Sequence, residues 1–322
     1  MTVIAPRDGS WLADAPVPVG PPETLLDRLC ARAGGTAVAL GIDCPIGLPR
    51  AYVALHLEAG GNFPSFLKTL AIDSPFFDVA GTLADVSAAR PFYPARAMAG
   101  MTRLSHARAL GLADAGALCR ACDLATAQRP AGAPLFWTLG ANQSGKAAIA
   151  AWRELIIPAL HAPRPARLWP FDGTLRVLLE AGAMVMAETY PADAMAQLGV
   201  RRAGSKRRQA DRVAYAAPLR ASLSRLGVSA APPLEDALAC GFGADAAGED
   251  RLDSLFGALC VLSVVKGQRD DHVPSDPWIA SWEGWVLGQA PDSSGGRSPP
   301  SGDQHEASRW WTGGLMDHPP RR

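Results

Sequence analysis

The 322-residue sequence lacks the features that would take a chain out of water. No apolar run approaches the ~20 residues that cross a bilayer, and no charged leader followed by an apolar core opens the chain, so the expected location is the cytoplasm. Excess charge of either sign is also missing, because 31 basic residues face 31 acidic ones. No global field then draws the molecule toward nucleic acid or an anionic membrane, and any such contact has to be local. Cysteine is sparse: six residues in a chain of this length are too few for a disulfide framework and predict reduced thiols. Cys119 and Cys122 make a C-x-x-C pair, but no second pair stands at zinc-site spacing, which leaves a metal or redox role for the pair weakly motivated. The sequence contains no internal repeat.

Hydrophobic residues make up 48% of the chain, enough to bury the core of one large domain or two ordinary ones. Thr2 to Ala5, the Asp8-Gly9 turn signal and the extended run from Trp11 read as an edge hairpin. Pro21 to Ala33 reads as a helix, with proline near its start, an apolar face of Leu25, Leu26 and Leu29, and Gly34-Gly35 at its end. The apolar run Ala37 to Ile42 follows. It ends in Asp43 and is punctuated at once by Pro45, Gly47 and Pro49, as expected for a strand buried on both faces of an α/β sheet. Asp43 therefore stands at a strand's C-terminal edge, where ligands and catalytic groups gather. The alternative is that it only caps the turn.

Residues 51–166 are helical and irregular in pattern, with Phe63, Phe66, Phe76, Phe77, Phe92 and Tyr93 scattered among prolines and glycines. This segment reads as an inserted lobe whose aromatics belong to its core. After a helical stretch from Leu175, the run Ala183 to Ala187 repeats the earlier grammar: an apolar strand, then Glu188, then Pro191. Arg201 to Arg212 is a basic cluster containing Lys206 and Arg207, either a solvated face or a phosphate-contacting patch. Glu249 to Lys266 reads as a helix with Asp250 and Asp253 on one face of its first turns, where capping is the alternative to a site. Asp236 is a lower-ranked acid on a shorter helix. Trp278, Trp282 and Trp285 surround Glu283 in a WEGW that is expected to close the domain with a last strand. Beyond residue 289 the chain is rich in Ser, Gly, Pro and charge, and is expected to be disordered.

Gly140 to Ala147, GANQSGKA, nearly fits a phosphate loop. Its eighth position is Ala147, so the hydroxyl that would hold Mg²⁺ is absent. The glycines are better read as a tight turn needing positive φ, although the backbone N–H groups could still meet an anion.

Asp43 and Glu188 end two strands, and Asp250 and Asp253 share a helix. Carboxylates gathered from separate elements repel unless a divalent cation neutralises them, and oxygen-only ligands select Mg²⁺ or Mn²⁺. Such ions can activate water for phosphodiester hydrolysis. GIDCPIGLP, the WPFDG of Trp169 to Gly173, ETYP, SKRRQADR, EDRLDSLFGAL and WEGW, in this order over residues 36–288, resemble successive motifs of the domain-of-unknown-function 429 family, a group of predicted nucleases with a ribonuclease-H-like fold. The C-R-A-C-D of Cys119 to Asp123 and the Gly140 loop resemble weaker motifs of one branch.

The resemblance implies an α/β fold with a central mixed sheet and flanking helices. Its ribonuclease-H-like domain would be formed by residues 1–50 and 167–288, interrupted by a helical insertion at 51–166 and followed by the tail at 289–322. It carries metal binding onto Asp43, Glu188 and Asp253 with Asp250 as neighbour, and phosphate contact onto Lys206 with Arg207 and Arg212. Members of the family open with a strand bearing a G-x-D motif whose Asp holds metal. This chain begins at what would be the next strand, so a start further upstream or a fold without its first catalytic strand is implied. The expected function is metal-dependent hydrolysis of phosphodiesters, nucleic acid included. The alternatives are a catalytically reduced binding or scaffold protein and, ranked lower, a nucleotide-dependent enzyme using the Gly140–Lys146 loop.

Overall fold

A computed structural model describes residues 1–290 except 59, 127–129, 141–142 and 202–203. The hairpin forms as expected. β1 (Ile4–Arg7) pairs antiparallel with β2 (Ser10–Ala13), and Asp8 and Gly9 between them both take positive φ, 49° and 81°. That is the backbone hand that matches the twist of two strands joined by two residues. The first helix runs Leu25–Ala33, led in by a short turn at Pro22–Thr24 and closed by Gly34 in the left-handed conformation. The first apolar run becomes β3 (Val38–Ile42) and the second becomes β5 (Met184–Glu188). These two are parallel neighbours in a register that sets Ile42 beside Glu188. Both carboxylates therefore reach the same edge of one sheet.

The structure is mixed α/β, but the expectation of one central sheet needs correction. Among the described residues there are two three-stranded sheets, β1-β2-β6 with β6 at Val228–Ala230, and β3-β5-β4 with β4 at Arg167–Leu168. The second is wholly parallel. β3 lies at its edge, with no described strand on its other side. The Gly248–Val265 helix covers β3 closely. A Cβ on Gly41 would lie 2.7 Å from both Val261 and Thr189, so only glycine lets strand and helix approach this far.

Residues 51–166 hold short helices and turns, such as Phe63–Thr69, whose first turn is capped by Asn62 accepting from the Ser65 N–H at 2.8 Å. Their aromatics are core. Phe63, Phe76, Phe77, Phe92, Tyr93 and Trp152 pack edge-to-face and tilted in one cluster that also takes in Leu25, Leu29 and Met186. The segment thus shares its core with the first helix and β5. WEGW does not make a strand. Ile279–Glu283 is a wide helical turn, closed by the Gly284 N–H on the Ile279 carbonyl at 3.0 Å, and Gly284 then reverses the chain at φ 66°. A strand cannot hold that turn. The tail expectation beyond Ala290, with Trp310 and Trp311, falls outside the described residues. No described helix is long and apolar enough to cross a membrane.

His106 is fully buried, with Nε2 2.8 Å from the Pro91 carbonyl oxygen, and burial lowers its pKa to about 4. The folded chain refuses a proton that the unfolded chain accepts below about 6.5, so this group's stabilising contribution is complete above that pH and is lost as pH falls toward 4. Urea titrations at pH 7 and pH 4.5 are expected to show about 2–3 kcal/mol more acid destabilisation in the wild type than in His106→Phe. Equal losses would remove His106 as the cause.

Candidate functional site

The loop after β3 carries Asp43 and has almost every backbone group assigned. Glu188 accepts the Ile46 N–H at 2.7 Å. The Trp152 indole donates to the Pro45 carbonyl at 2.7 Å, and the Leu48 N–H donates to the Trp282 carbonyl at 2.8 Å. Glu283 accepts the Arg50 N–H at 3.1 Å. Gly47 and Gly284 allow the two loops to interlock, since a Cβ would sit 2.0 Å from the Glu283 oxygen in the first case and 2.2 Å from the Ile46 oxygen in the second. Asp43 is thus presented from a rigid turn, and WEGW is the clamp that holds it.

Under this loop lies Arg120, with no accessible surface. Its guanidinium donates to both oxygens of Glu188 at 2.6 and 2.7 Å, to both oxygens of Asp123 at 3.1 and 2.8 Å, and to the Glu283 carbonyl at 3.3 Å. Burial pushes the Glu188 carboxyl up and Arg120 pulls it back. With two short charge-assisted bonds the pair is ionised. Glu188 was expected to hold metal. Instead its oxygens are committed to Arg120 and Ile46, because an arginine taken out of water demands carboxylate partners. Cys122, Asp123 and Glu188 bring ligand atoms within 4.8 Å of one another, yet a cation there would face the Arg120 guanidinium that already organises them. All six cysteines are free.

Asp43 keeps contact with solvent, while the protein around it displaces much of its hydration. Its pKa is raised to about 7, first by this desolvation and then by Asp253, with Glu188 and Asp250 adding and Lys206 opposing. Asp253 projects from the Gly248–Val265 helix and accepts two bonds from Lys206 Nζ, at 2.5 and 2.7 Å. Burial raises its carboxyl too, against the pull of Lys206. Asp250 is exposed one turn earlier on the same helix. Asp43, Asp253, Asp250 and Lys206 therefore meet beyond the strand ends. Their donor set is all oxygen, which suits Mg²⁺ or Mn²⁺, and Lys206 holds part of the charge a divalent cation would supply.

The basic cluster divides. Arg207 is exposed and stands 3.8 Å from Glu249. Arg212 is not a surface residue, which corrects its expected contact with phosphate. It is buried, with donors on the Gly241, Gly243 and Lys206 carbonyls, and it fixes the backbone of the Lys206 loop. In the Gly140 loop, Gly140 has the anticipated positive φ of 100°, and Ala141 and Asn142 lie outside the described residues. The Gly145 N–H donates to the Trp137 carbonyl at 3.2 Å, which removes it from any phosphate cradle, and Lys146 is exposed.

Arg120 is the residue whose role the motif reading missed. An arginine between two cysteines, with Asp three residues on, is the signal of a buried, acid-paired cation. No family model, curated protein or solved structure matches the chain.

Arg120→Met would leave two buried carboxylates unpaired and is expected to cost about 3–5 kcal/mol in urea unfolding. The double variant Arg120→Met/Glu188→Gln is expected to cost less than the sum of the singles, and strict additivity would refute the coupling. Asp43 has the opposite pH sense to His106. Its carboxylate is disfavoured in the fold, so stability falls as pH rises from about 4 to about 7. Because solvent screens the group, the effect is modest. Asp43→Asn is expected to melt above the wild type at pH 8 and level with it at pH 3.5, as read by calorimetric scans.

Proposed function

We propose that the protein is a divalent-cation-dependent phosphodiesterase of ribonuclease-H-like architecture, as the resemblance to the domain-of-unknown-function 429 family implies. One observation carries the reading: Asp43, open to solvent at the end of β3, is crowded by Asp253 and Asp250, with Lys206 as the opposing charge. In this reading Asp43 and Asp253 hold the cation, with Asp250 at the rim. When bound, Mg²⁺ or Mn²⁺ supplies Lewis-acid activation of water and of the phosphoryl oxygens. Glu188 is a positioning residue, acting through the Ile46 N–H on the Asp43 loop. Lys206 and the exposed Arg207 face the phosphate, and the substrate is a phosphodiester, nucleic acid among the possibilities. Two parallel strands ending side by side in acids support the ribonuclease-H-like assignment.

The runner-up is a catalytically reduced protein that keeps the fold to bind or to scaffold. It is favoured by the commitment of Glu188 to Arg120, which removes one ligand from the set.

Calorimetric titration with Mn²⁺ is expected to give saturable binding in the wild type and none in Asp43→Asn, alongside Mn²⁺-dependent hydrolysis of bis(p-nitrophenyl) phosphate. Binding without hydrolysis of this or of DNA and RNA oligonucleotides would favour the reduced protein. Absence of saturable binding would overturn the cation site itself.

A further inference from the structure

Lys206 is doubly constrained. Its carbonyl accepts from the Arg212 guanidinium at 2.6 Å, and the residue before it, Ser205, donates its N–H to Asp211 at 2.8 Å, so the backbone at this point is pinned to the protein. The side chain is not pinned in the same way. It is a flexible four-carbon stem ending in an ammonium held by one group, the Asp253 carboxylate, at 2.5 and 2.7 Å. The pair is partly open, with side-chain exposures of 21% for Lys206 and 18% for Asp253. Solvent or an incoming ion can therefore compete for either partner. The same ammonium lies near enough to Asp43 to oppose its neighbours' charges. One cation thus serves the acids that face each other from β3 and from the Gly248–Val265 helix.

We infer that Lys206 is an exchangeable placeholder: its ammonium occupies the cation position between Asp253 and Asp43, and a divalent ion entering there releases it to bind the phosphate of the substrate. This rests on the cation site proposed above. The exchange conserves charge in the cleft, because the ion takes over neutralisation of the carboxylates as the ammonium leaves them. The freed ammonium, held by the anchored backbone, stays within a side chain's length of the ion and can reach a phosphate oxygen. Two consequences follow. The lysine competes with the metal, so the wild-type site binds it more weakly than the acids alone would. Metal and phosphate also assist each other, since each favours the state with the lysine off Asp253, and this assistance must be reciprocal. A lysine that merely neutralised a structural aspartate would give the competition but not the cooperativity.

The test is isothermal calorimetry on the full chain, with Mn²⁺ and Mg²⁺ as the cations and inorganic phosphate and dimethyl phosphate as the anions. Lys206→Met is expected to bind Mn²⁺ at least tenfold more tightly than wild type. In the wild type Mg²⁺ is expected to tighten phosphate binding by fivefold or more, and in Lys206→Met that gain is expected to vanish. Lys206→Gln keeps a hydrogen bond to Asp253 without the charge and serves if the methionine variant does not fold; it is expected to behave the same way. Saturable Mn²⁺ binding in the wild type, with no tightening in either variant or with the phosphate gain intact, would overturn the placeholder and leave the cation site standing. No saturable Mn²⁺ binding in wild type or variants would overturn both. Binding that emerges only in the variants would support the placeholder in its strongest form.

Discussion

The buried charge of Arg120 is the constraint on which the surrounding architecture depends. A guanidinium without access to water must be surrounded by acceptors, and here these are Glu188, Asp123 and the Glu283 carbonyl. Each acceptor belongs to a different part of the chain: the end of β5, the turn just after the arginine, and the WEGW clamp. Satisfying one cation therefore fixes three segments relative to one another. The loop after Asp43 is tied into the same network through the Ile46 N–H. Charge in the interior contributes little net stability when compared with well-packed apolar groups. What it does contribute here is a single permitted arrangement of the edge from which Asp43 projects.

Some of this was legible in the sequence. The apolar runs before Asp43 and Glu188, each ended by an acid and then by proline, became parallel neighbours with their ends in register. The Asp8-Gly9 turn and the Gly34 stop appeared where backbone chemistry places them. The aromatics of residues 51–166 are core. Asp43 and Asp253, far apart in the chain, face each other electrostatically. Local rules suffice for such features because each depends on a few consecutive residues or on burial alone.

The rest depended on pairings that no local pattern encodes. Glu188 had the type and place of a metal ligand, but its oxygens are taken by an arginine 68 residues earlier, in an irregular stretch. Arg212 belonged to a basic cluster by composition, yet it turns inward to three carbonyls because the loops ending at Gly241 and Gly243 need donors. WEGW had the aromatic content of a strand. Its glycine is there instead for the close passage of the Ile46 carbonyl. In all three cases the residue type was read correctly for its chemistry and wrongly for its customer.

The contact at Gly41 has a consequence of its own. With no room for a Cβ against Val261 and Thr189, the strand and the helix touch backbone to side chain, and the glycine acts as the spacer of a calliper whose jaws carry Asp43 and Asp253. The gap between the jaws is then set by main-chain geometry and not by the rotamers of the acids. A methyl group at 41 would open the calliper from its hinge, far from either carboxylate. Whatever size of guest the opening admits, the glycine is its gauge.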